Sequence, residues 1–134
     1  MMRMAAQLIV IDTSALLAIA FNEPERAACE VALTSDLRRV MSAGTLAEAL
    51  ITSESKGIGT AVRSLIEAAD PEIVPVTELS ARLAFDAFRR YGKGRQPARL
   101  NYGDCFSYAL DKELDCPLLC IGGDFSQTDL VSSL

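Results

Sequence analysis

The chain has 134 residues, of which 50% are hydrophobic and 23% are charged, so it can build one hydrophobic core but a second is not expected. It contains no histidine, which excludes serine–histidine and cysteine–histidine nucleophile systems, histidine general bases and histidine metal ligands. Acidic residues outnumber basic ones by 18 to 13, a balance that disfavours nucleic-acid binding except through a local basic patch.

The four cysteines, Cys29, Cys105, Cys116 and Cys120, form no Cys-x-x-Cys pair and lie in apolar stretches. They are interpreted as reduced core thiols, so neither a zinc site nor a disulfide framework is expected. Asp12 interrupts the first apolar run, which argues against a signal peptide or membrane span and favours a cytoplasmic protein. Any catalysis is therefore expected to use carboxylates with an oxygen-binding metal such as Mg²⁺ or Mn²⁺.

Hydrophobic periodicity and turn signals predict strands that alternate with helices. In chain order the predicted elements are a strand at 8–11, helices from 15 and at 24–33, a strand at 39–41, helices at 42–55 and 58–69, a strand at 73–76, helices at 78–91 and 102–113, and a strand at 118–121. This alternation predicts one α/β domain over residues 1–134, with a mainly parallel sheet covered by helices on both faces. In such sheets the functional site lies beyond the carboxyl ends of the strands.

Two finer predictions concern the third strand and the helix after it. Pro75 places that strand at a sheet edge or at a strand end, because proline cannot donate a ladder hydrogen bond. The apolar stripe of the following helix is expected to face the core, and it comprises Leu79, Leu83, Ala87, Phe88 and Tyr91.

Two acids stand alone in apolar surroundings. Asp12 directly follows the first strand and is the only charged residue between positions 4 and 22, and Glu48 is the only one from 40 to 53. A lone acid in such a place needs hydrogen bonds, a cation or a metal. The plainer alternatives are a helix N-cap for Asp12 and a solvent-facing position for Glu48, although small residues around Glu48 suit the close approach of another element.

Further acids follow later elements. Asp104 lies in the first turn of its predicted helix, where the helix dipole alone could explain it, and Asp111, two turns on, is expected to be solvated. Asp124 follows the last predicted strand and a glycine pair, a common place for a turn aspartate, and Asp129 is the weakest candidate.

Carboxylates that follow parallel strands can converge at one edge of the sheet, and Asp12 and Asp124 both follow strands. Like charges about 4 Å apart at intermediate dielectric repel by roughly 4 kcal/mol per pair. A divalent cation would relieve that repulsion, and hard oxygen ligands suit Mg²⁺ or Mn²⁺.

One basic cluster precedes Asp104. Five of the 13 basic residues fall close together, at Arg89, Arg90, Lys93, Arg95 and Arg99. A solvated helix end would explain them, but their position favours a phosphate-binding rim in which Arg95 and Arg99 contact the substrate. Tyr91 and Tyr102 flank the cluster and could stack on unpaired bases.

Four segments of the sequence resemble those of a known family. Residues 8–16, LIVIDTSAL, resemble the opening strand and aspartate of a PIN domain, and 45–50, TLAEAL, resemble the helix that carries its glutamate. Residues 100–110 are similar to the third-acid motif of VapC-type toxins, and 122–129 are similar to their C-terminal motif. One departure is Gly123, where many relatives carry an additional acid.

The resemblance implies a PIN-like three-layer α/β/α fold and an endoribonuclease that is the toxin of a type II toxin–antitoxin pair. Such an enzyme hydrolyses RNA phosphodiester bonds with water activated by Mg²⁺ or Mn²⁺, which requires no histidine. By the resemblance, Asp12 and Asp104 bind the metal directly, and Glu48 and Asp124 complete the catalytic site. Ser14 would hydrogen-bond in or beside this site.

The resemblance further implies a homodimer that a cognate antitoxin inhibits, with the C-terminal segment of the antitoxin in the active-site groove. An apolar groove around Leu16, Leu17 and Phe21 is the predicted place of docking.

Other interpretations fit less well. A phosphatase-like domain requires a second acid where Ser14 stands, and a receiver domain requires a lysine after a late strand, whereas no lysine follows Lys112. Two alternatives stay open: a PIN nuclease that processes housekeeping RNA, and a non-catalytic PIN-like module that binds RNA or a partner. The short chain favours the toxin.

Overall fold

A computed structural model describes residues 8–92 and 101–115, together with the backbone of 118–119. The elements in chain order are β1 (Leu8–Ile11), α1 (Thr13–Ala20), α2 (Arg26–Leu33), β2 (Arg38–Ser42), α3 (Ala43–Ser55), α4 (Gly59–Ala69), β3 (Glu72–Val74), α5 (Glu78–Tyr91), α6 (Tyr102–Leu114) and β4 (Leu118–Leu119). The predicted strands and helices are therefore present within these ranges, with slightly different ends.

The strands form a parallel sheet in the order β3-β2-β1-β4. Val10 of β1 pairs with Val40 of β2 on one side and with Leu118 of β4 on the other. β3 pairs with β2 and lies at one edge of the described sheet, as Pro75 predicted. The prediction of a mainly parallel sheet is confirmed for these four strands.

Side chains of β1 alternate between two cores on opposite faces of the sheet. Ile9 and Ile11 belong to a core formed with α1, α2, α3 and α4, and Val10 belongs to one formed with α5 and α6. This alternation follows from the two-residue period of a strand, and it explains why β1 is apolar at every position. Helices on both faces give the expected three layers, and both described cysteines, Cys29 and Cys105, are buried free thiols.

Two strand ends turn directly into helices at the same edge of the sheet. Asp12 follows β1 and N-caps α1, and Ser42 ends β2 and N-caps α3 through a 3.1 Å hydrogen bond from the Gly44 amide to its Oγ. Because the strands are parallel, both helices begin at the carboxyl edge. A Cβ on Gly44 would lie 2.6 Å from Cγ of Phe106, so the missing side chain lets α6 pack closely on α3.

The predicted core stripe of α5 is partly wrong. Leu79 and Phe88 are 61% and 41% exposed, whereas Ser80, Ala84 and Ala87 are buried. Ala87, Leu83 and Tyr91 of the predicted stripe do pack in the core beside α6, but Leu79 and Phe88 lie on the exposed side of the helix. Within the described residues, no helix has the length and apolar character needed to cross a bilayer.

Candidate active site

Asp12 is held between two elements by three hydrogen bonds. Its Oδ2 accepts from the backbone N of Ser14 at 3.1 Å and from Ser14 Oγ at 2.7 Å, which closes the N-cap of α1. Its Oδ1 accepts from Ser107 Oγ of α6 at 2.5 Å. The side chain is 2% exposed, so a carboxylate that also serves as an N-cap is buried at the carboxyl end of β1. The predicted hydrogen-bonding role of Ser14 is thus present in the geometry.

Glu48 lies on α3 and faces the first turn of α6. Its Oε1 accepts a hydrogen bond from Thr13 Oγ1 at 2.8 Å. A Cβ on Gly103 would overlap the Glu48 carboxylate, so the glycine makes room for the acid. The small residues around Glu48 do admit the close approach of another element, and Glu48 is half-buried rather than fully exposed to solvent.

Asp104 occupies the first turn of α6 in a capping box. Its backbone N donates to Asn101 Oδ1 at 2.8 Å, and its Oδ2 accepts from the backbone N of Asn101 at 3.0 Å. The residue is nevertheless only 7% exposed. Gly103 beside it packs against Glu48, and Ser107 one turn later bonds to Asp12, so the three described acids lie at one edge of the sheet.

The electrostatics show that Asp12 and Glu48 are close neighbours. Burial raises the pKa of Asp12 above its ordinary value, and the hydrogen bonds from Ser107 and Ser14 oppose that shift. Burial also raises the pKa of Glu48; the hydrogen bond from Thr13 opposes the shift, and the negative charge of Asp12 adds to it. Two carboxylates of like charge therefore lie near each other, with Asp12 buried and Glu48 half-buried.

Among residues 8–92 and 101–115, the arginines that form ion pairs do so with other acids, and none pairs with Asp12 or Glu48. Burial of carboxylates without a cation is costly, and hard oxygen donors suit Mg²⁺ or Mn²⁺. The donor chemistry thus fits a divalent cation. No three histidine, cysteine or acidic side chains in the described part of the chain lie close enough together to hold a metal on their own.

Several predicted site residues lie outside the described residues. These are the fourth acid, Asp124, and the two predicted substrate-binding arginines, Arg95 and Arg99. Of the flanking tyrosines, Tyr102 is 80% exposed and packs edge-on against Phe106, with ring centroids 5.1 Å apart. Tyr91 is half-buried against Tyr108, which makes it the poorer stacking surface for a base.

Sequence reasoning missed the hydroxyls that support the acids. Ser107 Oγ lies 3.1 Å from Thr45 Oγ1, and both residues are fully buried. Their spacing from the acids could have identified them, because Ser107 stands three residues after Asp104 and Thr45 stands three residues before Glu48. Hydroxyls at that distance share a helical face with the acids.

Two further expectations were wrong. Asp111 is 5% exposed rather than solvated, because the face of α6 that carries it packs into the core. Leu16 is 1% exposed and packs in the core against which α1 lies, so it cannot line a docking groove, although Phe21 is 46% exposed.

Cys105 beside Asp104 is no candidate nucleophile, since burial raises the pKa of its thiol to about 11, and the charge of Asp104 adds to the shift.

Comparisons with known proteins agree on one family. A family model for the PIN domain matches residues 9–130. A "Ribonuclease VapC" of Mycolicibacterium smegmatis is 44% identical over 127 residues, covering 92% of this chain and 98% of the relative. "Ribonuclease VapC28" of Mycobacterium tuberculosis is 40% identical over 130 residues, covering 94% and 98%.

Two solved structures share the fold. The crystal structure of Mycobacterium tuberculosis VapC20, a "Sarcin-Ricin loop cleaving toxin", superposes with a TM-score of 0.72 at 16% identity and covers 92% of this chain and 96% of that one. VapBC2 from Rickettsia felis, bound to a DNA fragment from its promoter, superposes with a TM-score of 0.67 at 12% identity and covers 94% and 96%.

The raised pKa values predict how the stability of the metal-free protein depends on pH. A folded-state carboxyl pKa above the unfolded value stabilises the fold at low pH, and this contribution is lost as the pH rises through the folded value. The free energy of unfolding of the wild type, measured with urea in excess chelator, should therefore fall more than that of Asp12→Asn as the pH rises above 3.8, the ordinary pKa of an aspartate. Asparagine keeps the N-cap and carries no charge.

The matched control is Asp36→Asn, which changes an exposed carboxyl remote from the site and should follow the wild type. If the Asp12→Asn protein loses as much stability with rising pH as the wild type does, burial of the Asp12 charge is not what weakens the metal-free fold.

Proposed function

The chain belongs to the PIN-domain family and, within it, to the VapC ribonucleases, toxins of toxin–antitoxin pairs, and we propose that it is an endoribonuclease that requires Mg²⁺ or Mn²⁺. The observation that carries the metal requirement is the neighbouring pair of buried Asp12 and half-buried Glu48, neither of which pairs with an arginine or lysine of the described residues. A divalent cation bound there would activate a water molecule and neutralise charge on the scissile phosphate.

Each acid has a proposed role. Asp12 and Asp104 are the direct ligands of the cation, and Glu48 and Asp124 complete the catalytic site. Supporting this assignment, hydroxyls contact Asp12 and Glu48, and no ion pair with an arginine or lysine of the described residues competes with a metal for either carboxylate. Burial of Asp12 and Asp104 excludes bulk water from the ligands.

The RNA backbone is proposed to contact Arg95 and Arg99, and an unpaired base to stack on Tyr102. Tyr102 is exposed and stands two residues before Asp104, a suitable position for such stacking.

Replacing both arginines, Arg95→Gln with Arg99→Gln, should weaken RNA binding and flatten its dependence on salt concentration. An unchanged salt slope would remove both arginines from the substrate site.

We also propose a cognate antitoxin, a homodimer and action in the cytoplasm on RNA, with residues 1–134 forming one PIN domain. Support comes from the family model over 9–130 and from similar structures solved as a toxin–antitoxin complex of Klebsiella pneumoniae and as VapBC2. Light scattering of the purified chain tests the homodimer. Co-purification with the product of a small reading frame beside the gene tests the antitoxin, and its absence would favour a housekeeping nuclease.

Replacement of one acid tests the nuclease directly. Asp104→Asn should lower cleavage of a labelled RNA at least about 100-fold, because an amide is a poor ligand for a hard cation. The fold should survive, since the asparagine oxygen can still accept from the Asn101 amide. Excess chelator should stop the wild type, and added Mg²⁺ or Mn²⁺ should restore it.

Asp115→Asn is the matched control, because it makes the same change at the exposed C-cap of the same helix, where φ is +50° and asparagine is well tolerated. Wild-type cleavage by Asp104→Asn, or undiminished cleavage in chelator, would contradict the proposal and favour a non-catalytic module.

The contact between Gly103 and Glu48 gives a second test. Gly103→Ala should favour helix α6 by up to about 1 kcal/mol but displace the Glu48 carboxylate from Thr13. Cleavage should therefore fall about 10-fold or more while the urea midpoint stays near the wild-type value. The loss of cleavage should therefore occur without a matching loss of stability.

The control is Gly59→Ala at the start of α4, where the added Cβ meets the carboxylate of Glu54, an exposed acid remote from the site. That variant should cleave RNA at the wild-type rate. Equal cleavage by both variants would show that the position of Glu48 does not matter for activity.

A further inference from the structure

A chain of two buried hydroxyls links α3 and α6 to Asp12. Thr45 Oγ1 on α3 lies 3.1 Å from Ser107 Oγ on α6, and Ser107 Oγ lies 2.5 Å from Asp12 Oδ1. Both hydroxyl residues are fully buried, and Asp12 is 2% exposed. The contacts span 62 and 95 positions of sequence, so they form only when the three elements pack together.

Proton counting fixes the direction of this chain for the ionised form of Asp12, which is the form that would bind a metal. A serine hydroxyl carries one proton, and an ionised carboxylate can only accept. The proton of Ser107 therefore points to Asp12, and the oxygen of Ser107 must accept at its contact with Thr45. Thr45 donates to Ser107, and Ser107 donates to Asp12, so the two bonds polarise each other in the same sense.

The direction matters because the two oxygens of Asp12 are held by different elements. Oδ2 accepts from Ser14, which belongs to the same local turn and moves with Asp12. Only Ser107, among the hydrogen-bond partners within the described residues, ties the carboxylate to a separate helix, and that helix also carries Asp104. The carboxylate plane of Asp12 is thus set relative to Asp104.

We propose that Ser107 and Thr45 are positioning residues that orient the Asp12 carboxylate toward the divalent cation, an inference that rests on the metal dependence proposed above. Ser107 sets the orientation, and Thr45 sets the direction of the Ser107 proton. Neither residue touches the substrate or the cation. Hydrogen bonds to a ligating group from such supporting residues are typically worth 10–100-fold in metal affinity.

The experiment measures Mn²⁺ binding to the whole chain in the absence of RNA, by electron paramagnetic resonance of the free ion. Ser107→Ala should raise the Kd for Mn²⁺ about 10-fold. Thr45→Val keeps the side-chain shape but removes the donor, so it should raise the Kd by less than Ser107→Ala. Thr45→Ser keeps the donor and should bind Mn²⁺ as the wild type does.

Ser53→Ala is the matched control, since Ser53 is equally buried and its hydroxyl donates to the carbonyl of Leu50 within its own helix, at 3.2 Å. It should lower the urea midpoint in chelator about as much as Ser107→Ala and leave the Kd unchanged. A purely structural role for Ser107 would give that same pattern in Ser107→Ala.

The outcomes separate the two proposals. If the wild type binds Mn²⁺ and folded Ser107→Ala binds it equally well, the positioning role is overturned and the proposed nuclease stands. If Ser107→Ala does not fold, the two Thr45 variants test the proposal instead. Equal Mn²⁺ affinity of Thr45→Val and Thr45→Ser then overturns the positioning role. A wild type that binds no Mn²⁺ overturns both the metal dependence and the positioning role.

Discussion

The central constraint in this protein is the burial of like-charged carboxylates at the carboxyl edge of a parallel sheet without a neighbouring arginine or lysine among the described residues. Asp12 and Glu48 raise the local electrostatic energy, and their elevated pKa values report this cost. Hydroxyl donors reduce that cost without neutralising the charge. Under the proposed metal dependence, binding of a cation would relieve this repulsion, whereas an internal ion pair would already have done so.

Backbone capping and the proposed chemistry use the same side chains. Asp12 caps α1, and Asp104 closes the capping box of α6, so each acid satisfies orphan amides at a helix start while it stands in the site. Parallel strands bring helix starts to one edge, and the capping function explains how acids are positioned there at little further structural cost. A capping role and a catalytic role are thus compatible at both residues.

The approach of α6 to α3 depends on missing side chains. Gly44 accommodates the ring of Phe106, and Gly103 accommodates the carboxylate of Glu48. With these two contacts in place, Thr45 and Ser107 come within hydrogen-bond distance, and the hydroxyl chain to Asp12 is completed. The contacts between Glu48, Ser107 and Asp12 therefore depend on helix packing, whereas local caps hold Asp12 and Asp104 within their own turns.

Sequence alone determined the alternation of strands and helices, the parallel sheet with β3 at its edge, and the choice of Asp12, Glu48 and Asp104 as candidate site residues. Local signals suffice for these features, because periodicity, helix caps and isolated charges are written within a few neighbouring residues. The exposure of part of the predicted stripe on α5, the burial of Leu16 and Asp111, and the bond from Ser107 to Asp12 were decided by tertiary packing. Those features depend on which faces of distant helices meet, and hydroxyls and small residues carry no local mark of the partner they will contact.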